Sequence, residues 1–406
     1  MPILANIAQL YTVPPDGSAD CVDAIPSAAL AWRDGRIAWV GPEADLPAAF
    51  HDEPRIDAGA GTVIPGLIDC HTHLCFGGWR GDEFAARLAG ASYQDILAAG
   101  GGINSTVAAT RAANLDELAA KAEPVLHDMA RLGVTTVEAK SGYGLNTAAE
   151  LKQLEVYRQL NQTQPLDIIP TFLGAHLVPV EYRERRTDYI NLLCEEMIPA
   201  VAEQQLARFC DVFIEESAFT LDEGRRILEC AKRHGLGLKI HADQLSSGGG
   251  AGLAAELGAV SAEHLEYASQ ADIAAMANAG TVAVSLPLAS MYLKEPFLPA
   301  RRWIDAGARV AVATDFNPGS APSYHLHLAM TLACVHQQMT PAEVLRGATS
   351  HAARALNLHQ DRGSLLPGYQ ADFAVIDAPD INHWLYHFRP NACSMTVKSG
   401  KIIWPL

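Results

Sequence analysis

Short hydrophobic runs that end in polar residues recur eight times through the middle of the chain. Segments with helical patterning separate them, and strands that alternate with helices predict a parallel sheet built of βα units. Eight such strands close most simply into a barrel, so the sequence predicts an α/β fold with a (β/α)8, TIM-like barrel. The predicted strands cover residues 66–73, 134–140, 168–176, 209–216, 237–241, 260–264, 281–286 and 309–315.

Several of the intervening helices carry start and stop signals. Thr220 and Glu223 form a capping-box pattern, and the helix that they begin is predicted to end before Gly235. Ser269 and Thr340 occupy the N-cap position of two further predicted helices. These signals support the division of the middle of the chain into strand–helix units.

Both ends of the chain have the composition of β-strands. Residues 29–41 form a hairpin pattern around an Asp-Gly turn, and two strand-like runs follow residue 370. Neither end has enough strands to bury a core by itself. We therefore predict a small composite β-sandwich domain from residues 1–62 and 363–406, beside a barrel of residues 63–362.

Composition and charge narrow the class of protein. The chain has 406 residues, of which 49% are hydrophobic and 19% charged, as is typical of a well-packed globular protein. Its net charge of −16 includes no long basic run, so we expect no nucleic-acid partner. No segment approaches the roughly 20 apolar residues of a membrane helix. We expect a small-molecule partner, and the sequence leaves the number of subunits open, a homodimer included.

Cysteine usage and the first residues bear on the compartment. Eight cysteines are scattered without a Cys-x-x-Cys pair, which favours reduced thiols over a disulfide framework. The first five residues lack the basic and apolar regions of a secretory signal. We therefore expect a cytoplasmic protein.

Residues suited to metal binding end four of the predicted strands. His71 and His73 follow the first strand two positions apart, which places both side chains on one face at the barrel mouth. His241, His264 and Asp315 each end a strand of their own. Catalytic groups of such barrels lie at the carboxyl ends of the strands. Nitrogen and oxygen ligands of this kind suit Zn²⁺ or iron, and the donor set alone does not choose between them.

This arrangement resembles the amidohydrolase superfamily, which has His-x-His after strand one, His after strands five and six, and Asp after strand eight. The terminal segments also resemble the second domain of that superfamily, so the resemblance covers nearly the whole chain. Members with two metal ions usually carry a bridging lysine on strand four, and residues 209–216 contain none. The resemblance therefore implies one metal ion, with Lys140 a rival only if the strand count were wrong by two. The implied metal ligands are His71, His73, His241 and Asp315.

Within the superfamily, four stretches resemble the imidazolonepropionases of histidine breakdown: residues 140–145, 174–176, 241–244 and 314–320. The resemblance implies that a metal-activated water opens the cyclic amide of 4-imidazolone-5-propanoate and gives N-formimidoyl-L-glutamate. It implies catalytic roles for His264, Asp315 and Gln244, the first two as carriers of the water's proton, and the sequence leaves open whether His264 is instead a metal ligand. The implied substrate-binding residues are Arg80, Tyr93, Tyr143, His176, Gln244, Asn317, Gly319 and Ser320. Arg80 fits such a role because its guanidinium can bind a carboxylate through two hydrogen bonds.

Other functions remain open at this point. Deaminases of the same superfamily typically carry a glutamate as proton shuttle three residues after the histidine of strand five. Gln244 stands there, and an amide orients a ring but does not exchange a proton, which counts modestly against deamination. A non-catalytic assembly protein of the same fold would be expected to lose metal ligands that are all present here. The glycine-rich run 246–250 lacks the Lys-Ser/Thr of a phosphate loop, so we expect an ordinary loop at the barrel mouth.

Overall fold

The computed structural model describes residues 2–18, 20–90 and 101–405. Eight parallel strands form one sheet in which each strand pairs with its neighbour in chain order. Every predicted barrel strand is present, which confirms the (β/α)8 prediction. The barrel strands, numbered one to eight, are Leu67–Asp69, Val134–Lys140, Asp167–Ala175, Phe209–Ile214, Gly237–Ala242, Ser261–His264, Val282–Ser285 and Val310–Val312.

The barrel closes between the first and eighth strands beyond their regular ends. The backbone N–H of Asp315 donates to the carbonyl of His71 at 3.1 Å, and that of His73 donates to the carbonyl of Phe316 at 2.8 Å. Below them, the Asp69 carboxylate accepts hydrogen bonds from the backbone N–H and the hydroxyl of Thr314, at 3.1 and 2.6 Å. Closure therefore brings the predicted metal ligands of the two strand ends together.

The helices lie between the strands as their capping signals predicted. Thr220 and Thr340 each form a capping box with the glutamate three residues on, and the Ser269 side chain caps a third helix. The α-helices of the described residues are Gly81–Leu88, Ile103–Ala112, Leu115–Arg131, Thr147–Thr163, Arg186–Leu192, Ile198–Glu203, Leu221–Arg233, Gly250–Leu257, Gln270–Ala279, Pro287–Leu293, Ala300–Asp305, Leu326–Gln337, Pro341–Gly347, Ser350–Arg354 and Ile381–Tyr386.

A separate mixed sheet combines both ends of the chain, as predicted for the second domain. Its core includes Trp32 from the N-terminal part and Phe373 from the C-terminal part, with ring centroids 5.3 Å apart. The Trp32 indole N–H also donates to the carbonyl of Gly400 at 3.0 Å. The strands of this sheet are Ile3–Tyr11, Ala24–Arg33, Arg36–Pro42, Arg55–Asp57, Thr62–Pro65, Phe373–Ile376, Cys393–Lys398 and Lys401–Trp404.

The division of the chain at residues 62 and 363 stays a prediction. Strand Thr62–Pro65 pairs along its length with Phe373–Ile376 of the small sheet, and only one residue separates it from the first barrel strand. None of the helices in the described part of the chain combines the length and apolar character needed to cross a membrane.

The capping box of helix Leu221–Arg233 gives a first testable prediction. The Thr220 hydroxyl accepts from the backbone N–H of Glu223, and the Glu223 carboxylate accepts from that of Thr220 at 2.9 Å. Thr220→Ala should lower the free energy of unfolding by about 1 kcal/mol, because it leaves one N–H of the first turn without a partner. Urea unfolding of the two proteins measures the difference. Thr220→Ser keeps the hydroxyl, and an equal loss in both variants would contradict the capping role.

Candidate active site and metal centre

The histidines that follow strand one meet Asp315 at the carboxyl end of the barrel. Oδ1 of Asp315 lies 3.3 Å from Nε2 of His71 and 3.4 Å from Nε2 of His73. All three side chains are buried, and His71 lies deepest, with no exposed surface. The structure thus brings together the ligands predicted from the ends of strands one and eight.

The histidines of strands five and six complete the same cluster. The ring centroids of His71 and His241 are 4.6 Å apart, and those of His241 and His264 are 5.5 Å apart. Donor atoms of His71, His241 and His264 fall within 4.8 Å of one another, as do those of His71, His73 and Asp315. Residues from four different strands therefore converge on one small volume.

The cluster has the chemistry of a metal site. Both ring nitrogens of His71, Nδ1 of His73 and Nε2 of His241 are buried without a hydrogen-bond partner in the part of the chain that the structure describes. Buried polar atoms rarely lack partners, and unpaired imidazole nitrogens beside a carboxylate are the donors that zinc and iron prefer. The donor set therefore fits a metal ion.

The protonation state of the histidines supports the same fit. Burial, and next the positive charge of Lys140, hold the pKa of His71 and of His241 well below the usual range. Burial and then Lys140 also lower the pKa of His73 to about 3. A metal ligand must be a neutral imidazole. These three rings are therefore neutral at pH 7, and a cation binds to them without displacing a proton.

Asp315 is held in an uncommon backbone conformation by the loop that follows it. Its φ is +56°, a region that non-glycine residues occupy at a cost of roughly 1–3 kcal/mol and that is frequent at active sites. The Asn317 amide donates to the carbonyl of Asp315 at 2.7 Å and to the hydroxyl of Ser320 at 2.8 Å. Its oxygen accepts from the N–H groups of Gly319 and Ser320. The Asn317 side chain is thus fully used in shaping the loop that carries Asp315.

A cavity of about 660 Å³ opens above the cluster. Every predicted substrate-binding residue that the structure describes lines it, whereas Tyr93 lies outside the described residues. His71 lies beneath the cavity and does not line it. The predicted site residues on its walls are His73, Arg80, Tyr143, His176, His241, Gln244, His264, Asp315, Asn317, Gly319 and Ser320.

Arg80 is positioned by contacts at two sides of its guanidinium. Its Nε donates to the hydroxyl of Thr106 at 2.9 Å, and Thr106 itself is buried. On the other side the guanidinium lies against Gly319, where a side-chain carbon would come within 2.5 Å of Nη1. Among the described residues, the two Nη groups are therefore the donors that remain for a ligand in the cavity.

Tyr143 and His176 form the wall beside His73. The His73 and His176 rings are stacked, with centroids 5.3 Å apart, and the Tyr143 ring lies 5.4 Å from that of His176. Nδ1 of His176 contacts the carbonyl of Gly142 at 2.9 Å. Because a carbonyl only accepts, Nδ1 carries the hydrogen, and Nε2 is left for other contacts. Burial also lowers the pKa of His176 to about 3.

Buried carboxylates hold the two loops that surround this wall. Glu150 accepts hydrogen bonds from the N–H groups of Gly142, Gly144 and Leu145 at 2.8–3.0 Å. In the same way, the Asp243 carboxylate accepts hydrogen bonds at 2.7–2.9 Å from the N–H groups of residues 248, 249 and 251, which lie within and directly after the glycine-rich run. The amides that a phosphate would need are therefore occupied, which agrees with the expectation of an ordinary loop.

Several of these residues were not predicted from the sequence. Thr106, Glu150 and Asp243 act through hydrogen bonds to other parts of the site, and no spacing rule marks them. Asp211 accepts a hydrogen bond from the backbone N–H of His241, and it carried a usable signal because it is the one charged residue of the otherwise apolar strand four. The candidate metal ligands that the sequence identified share one property, which is that they lie at or just beyond the carboxyl end of a strand.

The fold and the donor set define a metal-dependent hydrolase of the amidohydrolase class. A family model described as "Amidohydrolase family" matches residues 62–403, and the chain belongs to that family. The match spans the whole barrel and most of the strands of the C-terminal end.

Curated relatives narrow the class to the imidazolonepropionases. The chain is 51% identical to an imidazolonepropionase of Symbiobacterium thermophilum over 93% of its length and 90% of that protein. It is 47% identical to the imidazolonepropionase of Cupriavidus taiwanensis, covering 95% and 92% of the two chains. It is 46% identical to the imidazolonepropionase of Myxococcus xanthus, over 98% of this chain and 96% of that protein. The recognition made from the sequence motifs is confirmed.

Solved structures of more distant proteins share the fold. An adenosine deaminase from Xanthomonas campestris with bound zinc superposes with a TM-score of 0.70 at 18% identity, covering 99% of this chain and 92% of the other. An ochratoxinase from A. niger superposes with a TM-score of 0.68 at 21% identity, covering 99% of this chain and 95% of the other. At these identities the likeness establishes the architecture alone.

Proposed function

We propose that this chain hydrolyses the cyclic amide of 4-imidazolone-5-propanoate and releases N-formimidoyl-L-glutamate. Relatives at 46–51% identity that cover nearly the whole chain bear the name of that enzyme. The observation that carries the proposal is the cavity, whose walls combine metal-type donors with an arginine held for a carboxylate. An enzyme for this substrate needs both features, since the substrate has an amide to open and a propionate to anchor.

The substrate is bound by residues of the cavity wall. The Arg80 guanidinium binds the propionate through its two Nη groups, because its Nε already donates to Thr106. Tyr143 and His176 lie between Arg80 and the histidine cluster, where the heterocycle must lie for its amide to reach the cluster. Gly319, Ser320 and Asn317 line the cavity beside the substrate, and the Asn317 side chain holds their loop through the N–H groups of the other two.

The proposed metal centre consists of one zinc or iron ion held by His71, His73, His241 and Asp315. A divalent ion there supplies a nucleophile at neutral pH, because it lowers the pKa of water from 15.7 to about 7. Four protein donors and no lysine on strand four favour a single ion. The Lys140 alternative loses its basis, since this residue ends strand two and its Nζ is bonded to Glu138 and Asp211.

Proton transfer is assigned to Asp315 and His264. Burial raises the pKa of Asp315 to about 6, and the Oδ2 atom accepts a hydrogen bond from Ser320 while Oδ1 faces His71 and His73. Burial lowers the pKa of His264 to about 3, so this imidazole is neutral at pH 7 and able to accept a proton. The leaving nitrogen then receives the proton from the same pair. Gln244, half-buried in the cavity wall, orients the ring through its amide.

The decisive test is incubation of the purified protein with 4-imidazolone-5-propanoate while the ultraviolet absorbance of the heterocycle is followed. We expect the absorbance to fall and N-formimidoyl-L-glutamate to appear in equal amount. Release of ammonia from cytosine or guanine, with no turnover of the imidazolone, would instead make the chain a deaminase. Failure to turn over any heterocycle by a metal-loaded protein would favour the non-catalytic assembly role.

We further propose a cytoplasmic location. All eight cysteines remain free thiols, and five of them are buried. Unpaired cysteines in this number are typical of proteins that fold in a reducing compartment.

The propionate anchor gives a prediction about substrate affinity. Arg80→Ala should raise KM by roughly 30- to 1,000-fold, which corresponds to about 2–4 kcal/mol for loss of a charged, two-point hydrogen bond. It should change kcat less, because the guanidinium is not one of the donor groups of the histidine cluster. Steady-state kinetics on the imidazolone measures both constants. Arg87 lines the rim of the same cavity and bonds to Tyr292 at 3.2 Å, so Arg87→Ala is the matched control and should change KM far less.

A further inference from the structure

The barrel interior beneath the histidine cluster is charged. Barrels of this type are normally filled with layers of branched apolar side chains. Here five ionisable side chains from strands two, four, five and six fill the space, and each has no exposed surface. Removing such groups from water costs several kcal/mol per ion, so their retention calls for a functional reason. They are Glu138, Lys140, Asp211, Lys239 and Glu263.

Asp211 connects this charged layer to the metal ligand His241. Its Oδ1 accepts a hydrogen bond from the backbone N–H of His241 at 3.2 Å. Its Oδ2 lies 2.9 Å from Nδ1 of the same histidine, although the ring is not turned into hydrogen-bonding geometry. The χ2 torsion of an imidazole has a broad minimum, so a change of ring orientation at this distance costs little. One carboxylate thus contacts both the backbone and the ring of His241.

Lys140 holds that carboxylate in place. Its Nζ lies 2.8 Å from Oδ2 of Asp211 and 2.7 Å from Oε1 of Glu138. Burial by itself lowers the pKa of Lys140, but the carboxylates of Asp211 and then Glu138 outweigh burial and raise it, so the ammonium stays charged. Asp211 is therefore fixed from one side by Lys140 and directed at His241 on the other.

We propose that Asp211, held by Lys140, is a positioning residue that sets the ring orientation and tautomer of His241 for metal binding. The inference rests on the metal centre of the proposed function and extends it to two residues that do not bind the metal themselves. The Asp211 carboxylate accepts a hydrogen bond from the N–H at Nδ1. The lone pair of Nε2 is then directed at the cluster. A carboxylate behind a ligating histidine typically strengthens metal binding by 10- to 100-fold.

Lys140 has a second consequence for the same region. Donor atoms of Asp211, His241 and Glu263 lie within 4.8 Å of one another, a grouping that could attract a cation of its own. The Lys140 ammonium already neutralises Asp211, and Lys239 lies 3.2 Å from Glu263. The Lys140 ammonium therefore keeps Asp211 free for positioning and leaves a single metal position above it.

The test is a measurement of Zn²⁺ affinity in the absence of substrate. The apo forms of the wild-type protein and of Asp211→Asn are titrated with Zn²⁺ against a chromophoric chelator of known affinity. We expect Asp211→Asn to bind Zn²⁺ 10- to 100-fold more weakly while its circular dichroism stays that of the wild type. Wild-type affinity in Asp211→Asn would overturn the proposal.

Lys239→Met is the matched control, because Lys239 is an equally buried lysine paired to a carboxylate of the same layer. Its ammonium donates to the Ser261 hydroxyl and pairs with Glu263, whereas Asp211 pairs with Lys140, so Zn²⁺ affinity should stay within about threefold of the wild type while thermal stability falls. An equal loss of affinity in this control would show that any disturbance of the charged layer weakens the metal site, and the specific role of Asp211 would be wrong.

The double variant Lys140→Met/Asp211→Asn keeps the test decisive if a single variant fails to fold. Removing both charges should restore part of the thermal stability that Lys140→Met loses, because Asp211 is then no longer a buried carboxylate without its cation, and Glu138 keeps its hydrogen bond from Thr171. Zn²⁺ affinity should not recover with it. If thermal stability and Zn²⁺ affinity both recovered in the double variant, the role of Lys140 and Asp211 would be structural only. Since no substrate is used, these outcomes are independent of the proposed reaction, and a wild-type protein without Zn²⁺ affinity would count against the metal centre itself.

Discussion

His71→Ala is expected to give a folded protein that holds no metal ion and has no hydrolase activity. His71 is fully buried, and neither of its ring nitrogens has a hydrogen-bond partner among the described residues. The substitution therefore removes no hydrogen bond that the fold uses, whereas it removes a donor from the centre of the cluster. Elemental analysis should find about one zinc or iron per wild-type chain and close to none in the variant.

A buried histidine elsewhere in the chain provides the control for this variant. His327 is also buried, but its Nε2 contacts the carbonyl of Trp384 at 3.1 Å and its ring stacks on that indole. His327→Ala should lower stability and keep the metal. Full metal content in His71→Ala, or two tightly held ions per wild-type chain that are both needed for turnover, would contradict the single-ion centre.

The sequence was sufficient for the barrel because hydrophobic periodicity carries that information. Strand two was predicted with the observed ends, and the fourth strand, Phe209–Ile214, was placed correctly in the order. The first strand was predicted too long, since regular pairing stops at Asp69 and residues 71–73 bond instead to the segment after strand eight. Apolar runs mark where strands lie, but the pairing of their last residues depends on barrel closure, which no local pattern contains.

The cluster at the barrel mouth was predictable for a related reason. His71, His73, His241 and Asp315 end strands, and strand ends meet at one face of a barrel. The charged layer below was not predicted, because Lys140 and Asp211 belong to residue types that lie almost always at the surface. Their burial depends on the ion pair between Lys140 of strand two and Asp211 of strand four, which are distant in sequence and are not neighbours in the sheet. Successive side chains of a strand point to opposite faces. Applied to strands two and four, this alternation would have indicated that both side chains point into the barrel.

Backbone conformation at the site was beyond the reach of the sequence. His264 and Asp315 both have positive φ, at +72° and +56°. Neither residue type demands that conformation, which is imposed by the surrounding loops, including the amide of Asn317. The motif predicted Asn317 as a substrate-binding residue, and that role stays a prediction. In the structure the Asn317 amide bonds to other groups of its own loop, which no sequence pattern had indicated.

His264→Ala is expected to retain its metal ion and to lose roughly 10²–10⁴-fold in kcat, the usual contribution of a general acid or base. His71, His73, His241 and Asp315 already supply four donors, so His264 is not needed to hold one ion. Its ring lines the cavity, 5.5 Å from that of His241 between centroids, within reach of a water beside the ligands. Its imidazole is neutral at pH 7, as a proton acceptor requires.

The measurement that decides this role is metal content against kcat in the same preparation of His264→Ala. Gln244→Ala is the comparison variant, since Gln244 lines the same cavity and its amide orients the ring without exchanging a proton. It should lower kcat less than His264→Ala does. If His264→Ala is purified without metal and does not regain it from added Zn²⁺, His264 is a ligand. The proton would then have to be carried by Asp315 alone, because that carboxylate is the remaining titratable group of the assigned pair.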